Sequence, residues 1–559
     1  MEAFFNLFKR KVETDGPRTV NIYLGFFLMV NLVLGTGFLS IPYGFYSSGV
    51  LPSIITLLFI SCLSWLCAIW VVETMARAQG YNDYKTSGTT QESKQALHFY
   101  ITPIRKFEPT EMCDLFIGRW MKIVYAIMLV TIIFFAAMAY STVAGSAWSV
   151  NIPFNFGNLR QCRDDDFKDN VFPEDEGCGN AYRFCVFVFA CIVLFLSVLP
   201  LKEQLIVQVI LGLLRFTAIG AIVIYCLVHL FGGNVIENCN NPLYEPEFDI
   251  VNVSDFSSNF SLNFTYSMFN STETLKEVFL SFDGKSWMVS ISIYSYAHIL
   301  HQAIPALTHP IKKKEWLRGY FNALFLTLAS MYLIMGIAGS FWFRDCINET
   351  CTLNWEPLAR PGNAKALRAL SYFIVLFPSI DVLSAFPLVI ITTVNNIYTV
   401  ILGRDTTKDT HIKFYILQFF MKLLVATLPL AVAMFVANLV TVINYAGLIG
   451  FFICFYFPVI LQLASQWKCY NVFSAANGTS INCTKIFSDT SSVGDKSPLI
   501  SQIGHENLRK RLLSFFLSRQ SDLYKTPYSL PYLSSPLCAL IVGIISSTFI
   551  VITIVSLAI

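Results

Sequence analysis

Residues 21–46 read NIYLGFFLMVNLVLGTGFLSIPYGFY. This apolar run is long enough to cross a bilayer, which takes about 20 residues as helix. It is interrupted near its middle by Gly35-Thr36-Gly37 and again by Pro42. Lipid offers the backbone no hydrogen-bond partners, so a spanning helix has to satisfy itself. Glycines at mid-membrane weaken it where an open backbone is most costly. Backbone opens at that depth where it holds a substrate or ion. The competing reading is close helix packing, which small residues also permit.

The rest of the chain fits a membrane setting. Of 559 residues, 55% are hydrophobic and 13% charged, against about 25% charged in soluble domains. The net charge of +3 gives no footprint for nucleic acid. The N-terminal residues lack the apolar centre of a cleavable signal, so the first span is expected to direct its own insertion.

Eleven apolar runs are expected to span: 21–46, 50–76, 121–147, 183–200, 203–231, 286–308, 317–341, 367–401, 413–436, 439–465 and 537–559. The expected class is an all-α polytopic membrane protein. It would have a cytosolic tail over 1–20, a ten-helix core over 21–465, a cytosolic loop over 466–536 and an eleventh helix over 537–559. Lys and Arg mark cytosolic loops. They gather at Lys9, Arg10, Lys11 and Arg18, along 77–120, at Lys312, Lys313, Lys314 and Arg318, and at Arg404 and Lys408. All these loops share one side if the N-terminus is cytosolic. The opposite side then receives the sequons at Asn252, Asn259, Asn263 and Asn270 in loop 232–285, and Asn348 after span seven. Such sequons are glycan acceptors on the lumenal side. Sequons at Asn477 and Asn482 fall on the cytosolic side and are expected to stay unused. Of the fifteen cysteines, Cys162 and Cys178 suit one loop disulfide, and Cys239 has Cys346 and Cys351 as alternative partners. No cysteine or histidine grouping has metal-ligand spacing.

Ionisable side chains within spans are costly and mark function. Asp381 lies in span eight, flanked by Ser379 and Ser384, and Arg215 lies in span five. Span six carries Tyr294, Ser295, Tyr296, His298, His301 and Gln302 before Pro305. The missing amide of Pro305 and the poor helix formers before it make span six a second candidate for a broken helix. Asp381 and Arg215 are candidate partners, as a moving charge or a static buried pair. His298 and His301 are either hydrogen-bonded core residues or proton carriers. Glu73, at the end of span two, is expected near water as an anchor or gate residue.

The pattern Asn31-x-x-x-Gly35-Thr36-Gly37-x-Leu39-x-x-Pro42 resembles the first-span signature of the amino acid/auxin permease family, within the amino acid–polyamine–organocation superfamily. Tyr294-Ser295-Tyr296 with Pro305, Leu376-Phe377-Pro378, Phe386-Pro387 and Asn444-Tyr445-Ala446-Gly447 are similar to later parts of that pattern. Val72-Glu73-Thr74-Met75-Ala76, Phe107-Glu108-Pro109-Thr110 and the surroundings of Arg215 resemble the transmembrane protein 104 branch.

The resemblance implies a LeuT-type fold: two five-helix inverted repeats, each opening with a broken helix, plus an eleventh helix. It also implies amino acid transport coupled to H+ or Na+. It puts the substrate at Gly35, Thr36, Gly37, Ser295 and Tyr296, and a cation site between spans one and eight near Asp381 and Ser384. Arg215 would stand near that site as a fixed counter-charge, because arginine does not deprotonate. Asp381, His298 or His301 would then carry the proton. An amino acid sensor that recruits partners through cytosolic segments is the alternative. A membrane-embedded enzyme has no motif to support it. Finally, Asp495-Lys496-Ser497-Pro498-Leu499-Ile500 resembles an acidic dileucine signal, with Asp495, Leu499 and Ile500 as its defining residues. Clathrin adaptors read such signals, which favours a lysosomal or endosomal membrane over the plasma membrane.

Overall fold

The computed structural model describes residues 22–86, 107–154, 157–168, 171–198, 204–231, 279–309, 311, 314–360, 364–402, 412–476, 515–516 and 525–558. The sequons at Asn252, Asn259, Asn263 and Asn270 and the Asp495–Ile500 signal lie outside them. Helices are the only extended regular structure among the described residues. The first span is α1 (Ile22–Val33), a 3-10 turn (Thr36–Ser40) and α2 (Ile41–Ser48). Next come α3 (Val50–Thr86), the short α4 (Pro109–Phe116), α5 (Arg119–Asn151), α6 (Glu176–Val198) and α7 (Gln204–Phe231). The second half holds α8 (Gly284–Ala297), α9 (Ile304–Thr308), α10 (Leu317–Phe343), α11 (Lys365–Leu402) and α12 (Ile412–Ala433). It ends with α13 (Leu439–Phe451), a π turn (Phe452–Tyr456), α14 (Phe457–Ala476) and α15 (Pro536–Ala558).

The protein is an all-α polytopic membrane protein. Among the described residues nine helices are long and apolar enough to cross a membrane, or ten when the bent pair Gly25–Val33 and Thr36–Ser48 counts as one. Span six falls outside that count because α8 has only 14 residues and α9 only 5. It is two short helices in series, as Pro305 and the Tyr-Ser-Tyr stretch lead one to expect.

Several helices outrun the bilayer. α3 has 37 residues, or about 55 Å at 1.5 Å per residue, against a hydrocarbon core of about 30 Å. Its last turns carry Arg77, expected in a loop, into the packed interior. The expected division near Asn438 coincides with a helix start, where the Asn438 side chain caps α13 by accepting from the Thr441 amide at 2.8 Å. Gly49 separates α2 from α3 with φ +91°, and a Cβ there would lie 1.8 Å from the Ser281 carbonyl oxygen. Only glycine serves at that turn. In the core, α8 packs on α2 and α13, α5 on α11, and α3 on α14.

Candidate functional site

The break in span one begins where α1 runs out of partners. Leu34 N–H still reaches the Val30 carbonyl at 3.0 Å, but Gly35 N–H turns to Val33 at 2.7 Å. The chain bends by 49° before resuming. The last carbonyls of a helix have no partner within it, and in lipid they need one. Arg215 of α7 supplies it: Nη1 donates to the carbonyls of both Asn31 and Leu34. Nη2 donates to Asp381 Oδ2 of α11. A Cβ on Gly212 would lie 2.8 Å from Phe27 and 3.0 Å from Asn31. The bare Gly212 therefore lets α7 press against α1, and Arg215, one turn further on the same face, reaches the break.

Arg215 and Asp381 are both buried, their side chains 4% and 9% exposed. Asp381 Oδ1 is buried without a hydrogen-bond partner among the described residues. Its main-chain carbonyl accepts from Ser384 Oγ at 2.9 Å, and Ser379 Oγ accepts from Trp148 Nε1 of α5 at 2.8 Å. Tyr140 of α5 lies within coulombic reach of both Arg215 and Asp381.

The break in span six faces the break in span one. α8 ends at Ala297, whose carbonyl accepts from Tyr332 OH of α10 at 2.7 Å. Here too a side chain from a neighbouring helix satisfies an opened backbone. Thr36 Oγ1 and Tyr296 OH share a hydrogen bond at 3.2 Å. A Cβ on Gly37 would lie 2.9 Å from the Tyr296 ring and 3.0 Å from Ala297 Cα, so the two breaks touch at this glycine. Beside Gly35 the only such neighbour among the described residues is the Val33 carbonyl oxygen at 4.0 Å, which leaves room. Ser292 and Ser295 are fully buried and their hydroxyls have no partner among the described residues. Gly447 and Gly450 of α13 let that helix lie against them.

The structure thus brings Gly35, Thr36, Gly37, Ser295 and Tyr296 together at one pair of breaks, with Arg215, Asp381 and Ser384 alongside. His298 and His301 turn elsewhere. His298 Nδ1 sits 2.7 Å from the Tyr294 carbonyl and Nε2 2.7 Å from Ser61 Oγ of α3. A carbonyl only accepts, so Nδ1 carries the proton and Nε2 accepts from the serine. This is a satisfied core histidine, packed on Phe325 and Tyr332. His301 Nε2 donates to the Ser64 carbonyl at 3.0 Å, and its Nδ1 has no partner among the described residues.

Glu73 departs from its expected place near water. It and Arg77 are 0% exposed and paired at 2.5 Å. Arg77 Nη1 also donates to Gln462 Oε1 at 2.7 Å and to Ser465 Oγ at 3.2 Å. Glu73 further accepts from Gln462 Nε2 at 3.0 Å, from Ser529 Oγ at 3.2 Å and from Ser534 Oγ. The signal for it was the i, i+4 spacing of Glu73 and Arg77 on one helix face, passed over because a helix was expected to end at 76. Tyr332 and Gly212 carried no such signal.

At the other end, the Cys162–Cys178 disulfide closes its loop. Cys346 is disulfide-bonded, whereas Cys351 is a free buried thiol, so of the two alternatives only Cys346 is engaged. Asn348 is 3% exposed. Its Nδ2 donates to the Asp164 carbonyl at 3.0 Å and its Oδ1 accepts from Thr350 N–H at 3.0 Å. That burial and those two bonds weigh against the glycan expected at Asn348. Burial, with Asp165 and Glu356 nearby, pushes the Asp164 carboxyl up to about 7 against the pull of Arg360. Across the same face Tyr46 OH donates to Asp345 Oδ1, and Lys168 Nζ donates to the Asp345 carbonyl at 2.5 Å.

Residues 18–481 match the family described as transmembrane amino acid transporter protein. A transmembrane protein 104 homolog of Caenorhabditis briggsae is 24% identical over 391 residues, covering 68% of this chain and 70% of that one. A Drosophila melanogaster homolog is 21% identical over 508 residues, covering 81% and 90%. Transmembrane protein 104 of Homo sapiens is 21% identical over 420 residues, covering 68% and 75%.

Proposed function

We propose, from the premise that the chain belongs to the transmembrane amino acid transporter family, that it is a proton-coupled secondary transporter of amino acids. Cargo is held at the breaks of spans one and six and is exposed to each side in turn. The observation that carries this reading is the contact between the two breaks, with Thr36 bonded to Tyr296 and open space beside Gly35. The start of the Thr36–Ser48 segment offers free amides and the positive end of its dipoles to a carboxylate. The unpartnered Ser295 hydroxyl offers a bond to the cargo's amine. The LeuT-type repeat that the family resemblance implies gives the alternating motion.

The choice of H+ over Na+ is supported by the place of Arg215. In the implied fold a cation sits between spans one and eight. Here a guanidinium takes that interval, on carbonyls of α1 and the carboxylate of α11. A fixed cation there removes the need for sodium. Asp381 through Oδ1 and His301 through Nδ1 can each take a proton without giving up a bond. His298 can do so only if the Ser61 hydroxyl on its Nε2 turns from donor to acceptor. The proposed lysosomal or endosomal siting rests on the Asp495–Ile500 segment and on the dense sequons expected to shield the lumenal loops.

The test is radiolabelled amino acid uptake by purified protein in proteoliposomes, under a pH gradient or a sodium gradient, with Gly37→Trp as control. Uptake driven by the pH gradient, indifferent to sodium and lost in the control, is the expected result. Binding without uptake in either gradient would replace transport with the sensor reading.

A further inference from the structure

The segment between the long final loop and α15 does more than connect them. Among the described residues of this stretch, Tyr528, Leu530 and Ser534 are 1%, 3% and 1% exposed. Its hydroxyls converge on Glu73: Ser529 Oγ at 3.2 Å on Oε2 and Ser534 Oγ on Oε1. Ser534 Oγ also accepts from Leu530 N–H at 2.8 Å, and the Ser534 carbonyl accepts from Gln466 Nε2 of α14 at 2.7 Å. Further along, Tyr528 OH donates to the Lys314 carbonyl at 2.9 Å, in the turn that leads from α9 into α10.

We propose that Thr526–Ser535 is a latch that holds this end of the core shut, anchored on Glu73 at one point and on the Lys314 turn at the other. It bridges α3 and α14, joined by the Glu73–Arg77–Gln462–Ser465 cluster, to the chain leaving the broken span six. Any opening of this end that parts the Lys314 turn from α3 and α14 has to break the Tyr528 bond or the Glu73 cluster. A buried ion pair with its partners satisfied specifies one arrangement more than it adds stability. Networks of this kind switch between discrete states instead of stretching.

The inference rests on the alternating-access reading, and the test separates the two. Hydrogen exchange is followed by mass spectrometry on the full chain in nanodiscs, with and without a mixture of the twenty amino acids. Peptides covering 525–535 are compared with peptides of the 160–178 loop. Tyr528→Phe is expected to raise exchange in 525–535 about fivefold, the factor that one ordinary hydrogen bond makes to a local opening, and to leave 160–178 unchanged. Glu73→Gln is expected to raise it further. Unchanged exchange in both variants overturns the latch, whether or not the protein transports. In protein that takes up amino acids, addition of the mixture is expected to raise exchange in 525–535. Exchange indifferent to the mixture in such protein would make the segment a static strap and overturn its role in opening. Absence of uptake and binding in the wild type would defeat the transport reading, and the two variants would still decide the latch.

Discussion

Gly37→Ala isolates the contact between the two breaks. The added methyl would lie 2.9 Å from Tyr296 Cδ1, 3.0 Å from Ala297 Cα and 3.1 Å from Ala297 N. Carbon atoms settle at about 3.5–4.0 Å, so the two breaks must part by about 0.5–1 Å. The ring of Tyr296 can ease its contact by turning about its own axis with its hydroxyl still on Thr36, but the Ala297 backbone is held by the bond from Tyr332 to its carbonyl. Overpacking of this order costs about 1–3 kcal/mol. Charged wholly to the closed state, that shifts the balance of conformations about 5- to 150-fold. Gly35→Ala is the companion, since its methyl meets nothing nearer than the Val33 carbonyl oxygen at 4.0 Å. Gly35 has φ −72°, so alanine suffers no left-handed strain there. Alanine favours helix over glycine by about 1 kcal/mol at either site. If the glycines act only by weakening the helix, the two variants lose activity alike. If contact decides, Gly37→Ala loses most of its initial uptake rate in proteoliposomes and Gly35→Ala keeps most of it. Wild-type uptake in Gly37→Ala, with a normal unfolding temperature, would refute the reasoning.

Three further expectations can be checked separately. Asp381→Leu strands the buried charge of Arg215 and is expected to cost about 3–5 kcal/mol, while Arg215→Met with Asp381→Leu recovers much of it; thermal unfolding of the three proteins decides, and a neutral single variant would rule out a tight pair. Asn348→Gln is expected to leave the glycosidase-sensitive mass unchanged and to cost about 1 kcal/mol through the lost bond to Asp164; a smaller glycan mass on gels would contradict its burial. Asp164, raised to about 7 in the folded chain from about 3.9 in an unfolded one, gives stability that is full below the unfolded value and is lost as pH rises through 7. Unfolding temperatures from pH 4 to 8 are expected to fall across that window in the wild type and to fall less in Asp164→Asn, and equal slopes would remove Asp164 as the cause.

Much of this site was legible because the membrane makes backbone rules strict. Gly35-Thr36-Gly37 and the Tyr-Ser-Tyr…Pro305 stretch announce broken helices in any register, and an Arg and an Asp in spans have few ways to be tolerated except together. The two histidines looked equivalent to them in sequence because both lie beside the second break. Their separation from the Arg215–Asp381 pair depends on which face of the chain leaving α8 they occupy, and the irregular turn after Ala297 breaks the periodicity that would have told. Glu73 and Arg77 were misread for a related reason. Composition shows where apolarity stops but not where a helix stops, and α3 continues to Thr86 because α14 continues beside it.

The sequence alone determined the membrane class, the positions of the spans, the two breaks and the family, since each follows from local composition or from residue order. Tertiary structure decided which of those residues meet. It placed Arg215 on the carbonyls of span one through the bare face of Gly212, buried Asn348, engaged Cys346 and left Cys351 free. It also drew a stretch near the C-terminus onto Glu73, 461 residues away at Ser534. The physical reason is that burial and pairing belong to neighbours in space. A side chain's own sequence says what it needs, and only the packing of other helices says what supplies it.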